Sequence, residues 1–341
     1  MPGRRGPTGC GTFSLVFSLF PPRAQKRPEP DSALPAQASP AQASLFDFWG
    51  GPDPQPTPPP GAPQLAAGPL LALRRPPAQP RLRVGVLGSG SGGNAVVVES
   101  GGKRILVDAG FSCRELIHRM AVIGVEAKSL SAVVLTHEHQ DHCKGIRQLA
   151  KRFKLPVYAT VGTLEGMGLK GEVARSAVVM RSGEPVEVAG CFMVEPFAIP
   201  HDAREPVGLV VEDGDGCRLG VCADIGHATR LAWGRLSDLD LLVIETNHDL
   251  DMLRNGPYPW SLKQRVAGRH GHLSNREAAD GLPELLSDRL RWVVLYHLSR
   301  TNNLPGLAAA ALGEVLDRER CGARLAVTEQ DHPSPWLEVS P

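Results

Sequence analysis

The sequence predicts a layered α/β domain over residues 81–341, preceded by a low-complexity tail over residues 1–80. Three observations carry this. More than half of the 31 prolines in the 341-residue chain stand before Arg81. From Arg81 onward, short β-rich runs cluster first and helical patterns become common later. That order suits stacked sheets with outer helices better than one doubly wound sheet. At the end of one apolar run, three histidines and an aspartate crowd into the six positions from His137 to His142.

The tail comes first along the chain. Its stretches 28–44 and 53–63 hold few large apolar side chains. Such segments do not bury enough surface to offset their ordering entropy, so disorder is expected over 1–80. Phe13 to Phe20 is an apolar patch too short to span a membrane. Pro21-Pro22 follows it directly and no small-residue cleavage pattern is evident, which makes it a poor export signal.

The domain reads as alternating elements. Runs at 82–87, 95–99, 104–107, 132–135, 176–180, 192–197, 207–212, 219–223, 239–244 and 292–295 have strand character, bounded by Gly, Pro or polar clusters. Helices are expected at 114–121, 145–153, 228–234, 249–255 and 307–318. Ser274 and Glu277 form a capping-box signature that opens a helix to about residue 287.

Charge and cysteines narrow the class. The formal net charge is +1. Seven Lys/Arg and four Asp/Glu lie in 1–80, which leaves 30 basic and 32 acidic residues and a net of −2 in the domain. Nucleic acid must therefore be met by a local patch, and no membrane partner is expected. The seven cysteines (Cys10, Cys113, Cys143, Cys191, Cys217, Cys222 and Cys321) are scattered without a CxxC. That argues against a disulfide framework and a Cys-rich zinc site, and a reducing cytoplasm is the expected compartment. Small buried hydrophobes describe most of them.

Gly88-Ser89-Gly90-Ser91-Gly92-Gly93 fits GxGxxG letter by letter. A dinucleotide site needs a helix next, whereas Asn94-Ala95-Val96-Val97-Val98-Glu99 is strand-like. A tight turn between two strands is the better reading, lining a site mouth.

His137-Glu138-His139-Gln140-Asp141-His142 follows the apolar run Ala132-Val133-Val134-Leu135. Such a density of good ligands is hard to explain structurally. In an extended loop, His137 and His139 project to one side and can share an ion. Asp141 and His142 fall where a second ion could sit.

HxHxDH after a buried strand resembles the metallo-β-lactamase superfamily. Val107-Asp108-Ala109-Gly110, Ile199-Pro200-His201-Asp202, Ala223-Asp224-Ile225-Gly226 and Tyr296-His297-Leu298-Ser299 look like its remaining motifs, in order. The resemblance implies a four-layered αββα fold and two divalent ions. His137, His139 and His201 would hold the first. Asp141, His142 and His297 would hold the second, with Asp224 bridging and Asp108 orienting the metal loop. Read singly, His201 could be an ordinary loop residue, and Asp108 and Asp224 turn or cap residues. Diiron redox relatives carry a glutamate where His139 stands. Histidine there favours hydrolysis with Zn²⁺ or Mn²⁺, and the same ligands accept Fe²⁺.

Superfamily members hydrolyse lactams, thioesters, lactones and phosphodiesters, so the fold alone does not decide. Glu245 ends a strand, and in RNase Z-like nucleases a similarly placed Glu pairs with a downstream His, best matched here by His272. Such a pair suits protonation of a leaving alkoxide. The plainer alternative makes Glu245 a solvated strand-end carboxylate and His272 a residue near a helix start.

Residues 256–265, 271–275 and 297–303 resemble the YycJ/WalJ group of 5′-to-3′ double-stranded DNA exonucleases. Lys263, Arg265, Arg269, Arg300 and Asn302 are candidate phosphate contacts. The basic run from Lys144 to Lys154 reads as a solvated helix face. Asp224 and His297 stand only 73 positions apart, and His201 and Asp224 only 23. Neither a β-CASP insertion nor a tRNA-gripping arm is expected. The resulting expectation is a dinuclear-metal phosphodiester hydrolase whose catalytic residues are Asp141, Glu245 and His272. A small or cyclic phosphodiesterase, a thioesterase or lactonase, and a non-catalytic metal-bound nucleic-acid-binding module are the alternatives. His248 and His270 have no assigned role and compete with His272, and the oligomeric state stays open.

Overall fold

The computed structural model describes residues 81–339, so the tail expectation for 1–80 lies outside the described residues. The strands are β1 (Leu82–Gly88), β2 (Ala95–Ser100), β3 (Lys103–Val107), β4 (Leu130–Val134), β5 (Val157–Ala159), β6 (Ala177–Val179), β7 (Val186–Val188), β8 (Phe192–Ala198), β9 (Val207–Asp213), β10 (Arg218–Cys222), β11 (Leu241–Glu245), β12 (Trp292–Tyr296), β13 (Arg324–Val327) and β14 (Leu337–Val339). One sheet runs β14-β1-β2-β3-β4-β5-β6 and the other β13-β12-β11-β10-β9-β8-β7. The helices are α1 (Cys113–Val122), α2 (Gln140–Cys143), α3 (Ile146–Phe153), α4 (Val161–Met167), α5 (Gly171–Arg175), α6 (Arg230–Arg235), α7 (Leu250–Asn255), α8 (Trp260–Val266), α9 (Asn275–Gly281) and α10 (Pro305–Arg318).

The near-continuous apolar strands follow from burial on both faces, because successive side chains point to opposite sides. Val96, Val98, Ile105, Val107 and Val134 meet Leu209, Val221, Val243 and Val294 between the sheets. Val97, Leu106, Val133 and Leu135 turn outward onto Leu116 and Met120 of α1 and Leu149 of α3. Leu242, Ile244, Val293 and Leu295 turn outward onto Trp233 of α6, Ala278 of α9 and Leu312 of α10. The layers are therefore helix, sheet, sheet, helix, as expected.

Several elements differ from expectation. β5, β7, β13 and β14 were not anticipated; three of them have three residues and one has four, too few to show a period. β14 returns from the far end of the chain to pair with β1, Leu82 opposite Val339. The capped helix stops at Gly281 and tightens into a 3₁₀ turn over Leu282–Leu285, because Pro283 has no N–H for the α ladder. The glycine run is the expected turn, joining β1 to β2 as antiparallel neighbours. The basic run from Lys144 to Lys154 is exposed. The cysteines among the described residues are unpaired thiols. Among the described residues no helix is long and apolar enough to cross a membrane.

The topology also places the site. β3 and β4 are parallel neighbours, as are β10, β11 and β12. Parallel strands gather their carboxyl ends along one edge, where open α/β sheets bind ligands. Asp108 and His297 follow such a strand at once, Asp224 stands two residues past the end of β10, and the three take left-handed φ values of 59°, 60° and 53°. Backbone strain of this kind persists where surroundings hold it, and it clusters at functional sites.

Candidate metal centre

Each strand end delivers one part of the centre. After β4, the chain runs extended through His137 and His139 and then turns into α2, which carries Asp141 and His142. The turn packs tightly on Gly110, where a Cβ would stand 1.7 Å from the Asp141 carbonyl oxygen. The loop between β8 and β9 brings His201, β10 ends before Asp224, and β12 ends before His297.

Donor atoms of His137, His139 and His201 lie within 4.8 Å of one another, as do those of Asp141, His142 and His297. Asp224 stands between the two groups. Its Oδ2 is 2.7 Å from His142 Nε2 and 4.0 Å from His137 Nε2, and its Oδ1 is 3.4 Å from His297 Nε2 and 3.9 Å from His201 Nε2.

Most of the imidazoles are anchored through Nδ1, which leaves Nε2 for the centre. His142 Nδ1 lies 2.7 Å from Asp108 Oδ2, His201 Nδ1 is 3.1 Å from the Gly271 carbonyl, and His297 Nδ1 is 3.2 Å from Glu245 Oε1. Outer partners of this kind fix the tautomer and raise ligand basicity. Asp108 also accepts from the Thr136 amide and hydroxyl, both at 2.9 Å, and so ties the loop to β3.

The donor set fits divalent cations. His137 Nε2 and Asp224 Oδ2 are buried without a hydrogen-bond partner, which is costly unless something else satisfies them. With Nδ1 of His142 given to Asp108, its Nε2 faces the Asp224 carboxylate as a second acceptor. Two such acceptors sit together only with a proton or a cation between them. Burial, and then the neighbouring His142, push His137 well below the ordinary histidine value, the neutral form a metal requires. Burial alone would raise Asp224, yet His297 and His142 hold it well below the carboxylate range. Burial opposes charge on His142, but Asp224 and Asp108 hold it well above the usual value. The centre stores negative charge that cations can balance in place of protons.

Glu245 is fully buried, which removes the solvated-carboxylate alternative. Its Oε2 accepts from the Ile225 amide at 2.8 Å, and its Oε1 lies 2.7 Å from His272 Nδ1. His272 also places Nδ1 3.1 Å from Asp224 Oδ1, stacks on His297 with centroids 5.2 Å apart, and lines the cleft. His248 is buried with neither ring nitrogen partnered, and His270 is exposed.

The candidate phosphate contacts separate. Arg265 lines the cleft and its Nε donates to Asp202 Oδ2 at 2.7 Å. Arg300 lines an adjoining cavity. Arg269 is exposed beside His227. Lys263 turns away, donating to the Arg254 carbonyl at 2.7 Å in a groove beside α7. Asn302 is only 1% exposed, with its side-chain amide inside the protein, out of reach of a surface phosphate.

Sequence reasoning missed four polar supports. Asn94 Nδ2 lies 3.0 Å from His142 Nε2, and Asn247 Nδ2 donates to the His297 carbonyl at 2.9 Å. Ser89 Oγ accepts from the His297 amide at 2.6 Å. Asp202 Oδ1 approaches His201 Nε2 at 3.4 Å. Asp202 adjoins a motif histidine, which is the one signal available; the others carry no ligand chemistry that a sequence would flag.

The model of the β-lactamase superfamily domain matches residues 103–297. Exodeoxyribonuclease YycJ of Bacillus anthracis is 35% identical over 244 residues, covering 71% of this chain and 91% of that protein. Exodeoxyribonuclease WalJ of Streptococcus pneumoniae is 31% identical over 261 residues, covering 74% and 97%. The crystal structure of the metallo-β-lactamase fold protein YhfI from Bacillus subtilis superposes with a TM-score of 0.57 at 21% identity, over 74% of this chain and 99% of that one, and so shares the fold. With its layers, its convergent His/Asp centre and these relatives in agreement, the chain belongs to the metallo-β-lactamase superfamily of hydrolases.

Proposed function

We propose that this protein is a dinuclear-metal phosphodiester hydrolase that degrades double-stranded DNA as a 5′-to-3′ exonuclease. The observation that carries this reading is the Glu245–His272 pair at the edge of the metal centre. The names of the two exodeoxyribonuclease relatives support the choice of substrate. Zn²⁺ or Mn²⁺ would be held at the centre, one ion by His137, His139 and His201 and the other by Asp141, His142 and His297, with Asp224 placed between the two groups. When bound, such a pair supplies positive charge to the phosphodiester oxygens and lowers the pKa of water toward neutrality.

The chain's own residues do the rest. Burial opposes a charge on His272, but Glu245 and then Asp224 hold its imidazole well above the ordinary histidine value. With Nδ1 given to Glu245, its Nε2 is the atom that would hand a proton to the leaving alkoxide. Glu245 orients both His272 and His297, coupling acid and ligand through one carboxylate. Arg265 on the cleft rim meets a backbone phosphate. The cytoplasm is the proposed compartment, in keeping with the unpaired thiols.

A small phosphodiesterase is the second reading. The cleft measures about 240 Å³, enough for a compact ester. The two readings separate when metal-loaded protein is offered 5′-labelled duplex DNA beside bis(p-nitrophenyl) phosphate. Release of labelled mononucleotide is expected. Turnover of the small ester with the duplex left intact would rule out the exonuclease.

A further inference from the structure

We infer that a second cavity beside the metal cleft is a subsite for a nucleotide flanking the scissile phosphate, with Tyr258 as its stacking surface and Arg300 as its phosphate contact. This rests on the phosphodiesterase reading above. The cavity measures about 450 Å³ and is lined in part by Tyr258, Arg300, Thr301, Gln330 and Asp331. That volume is in the range of small-ligand sites. Ser91 lines this cavity and the metal cleft alike. The two spaces therefore adjoin across the glycine turn, as a bound strand running out of the centre requires.

The wall between them is built to hold its shape. The Gly92 amide donates to Gln330 Oε1 at 2.6 Å, and Gln330 Nε2 donates to the Gly93 carbonyl at 2.8 Å. The Gln330 carbonyl in turn accepts from the buried Arg119 at 2.7 Å. A Cβ at Gly92 would stand 2.8 Å from Gln330 Oε1, so the turn's glycine serves this clamp. A wall fixed in advance spares a ligand the entropy of ordering it.

The lining suits a nucleotide. Phe111 is covered by the Arg119 guanidinium at 4.0 Å, which leaves Tyr258 as the ring that meets a base. Stacking of this kind is sequence-tolerant, as degradation of arbitrary DNA demands. Arg300 pairs with Asp331, and their side chains are 58% and 66% exposed. An exposed pair is weak, so a phosphate can displace Asp331 from the planar guanidinium.

The test compares binding of a deoxynucleoside 3′,5′-bisphosphate and of inorganic phosphate to the metal-loaded full chain by calorimetry. Both place a phosphate at the metals, and only the nucleotide reaches Tyr258 with its base and Arg300 with its second phosphate. The nucleotide is expected to bind about tenfold more tightly than phosphate. Tyr258→Ala should erase most of that preference and Tyr258→Phe should keep it. Arg300→Ala should weaken nucleotide binding, and Asp331→Asn should strengthen it. Equal binding of nucleotide and phosphate by the unaltered protein, or a preference that Tyr258→Ala leaves unchanged, would overturn the subsite. If duplex DNA stays intact while the preference holds, the exonuclease reading fails and the subsite stands. DNA degraded without any preference gives the reverse.

Discussion

Asp141→Asn is expected to abolish turnover and to cost the centre one ion. Asp141 lies in the first turn of α2, and its Oδ2 is 3.3 Å from His297 Nε2 and 3.6 Å from His142 Nε2. Burial would raise its pKa, yet His142 and His297 hold it below the usual carboxylate value, so it is an anion ready to ligate. Asparagine keeps the shape and removes the charge. The loss should exceed the roughly 10–100-fold typical of outer-shell partners, because a donor to the ion itself is weakened. Metal content by atomic spectrometry and the steady-state rate, measured on one preparation, give the answer. A fully active variant holding two ions would remove Asp141 from the ligand set.

His272→Ala should lower kcat by about 10²–10⁴-fold, the usual range for a positioned acid or base. Metal content should not change. The loss should be much smaller on bis(p-nitrophenyl) phosphate, whose leaving group departs without a proton. The competing role is specific. Donors of Asp224, Glu245, His272 and His297 also lie within 4.8 Å of one another, an arrangement that could hold an ion. Loss of metal in step with activity, or an equal loss on both substrates, would make His272 a ligand and not an acid.

The architecture and the ring of histidines were legible in the sequence to different depths. His137 to His142 stands out because its donors are neighbours along the chain. His201, Asp224 and His297 are single residues at strand ends, and only their order behind that cluster marks them. Glu245 and His272 could be paired on paper through the family resemblance, but the contact of Glu245 with His297 and the Ile225 amide could not, since no motif marks it. Basic residues were the least legible. Lys263 and Arg265 are two apart on α8, and residues at that spacing face different sides of a helix. One turns to the groove beside α7 and the other to the cleft. Charge alone does not reveal which. Asn302 stands two residues after Arg300 in the sequence, yet it folds inward while Arg300 stays exposed.

The most direct test of two ions acting together is a metal titration. Chelator-stripped protein receives Mn²⁺ or Zn²⁺ in steps, with bound metal and hydrolysis of end-labelled duplex DNA measured in the same samples. Little turnover is predicted near one ion per chain and the full rate near two. The full rate at one bound ion, unchanged by a second, would contradict a dinuclear centre.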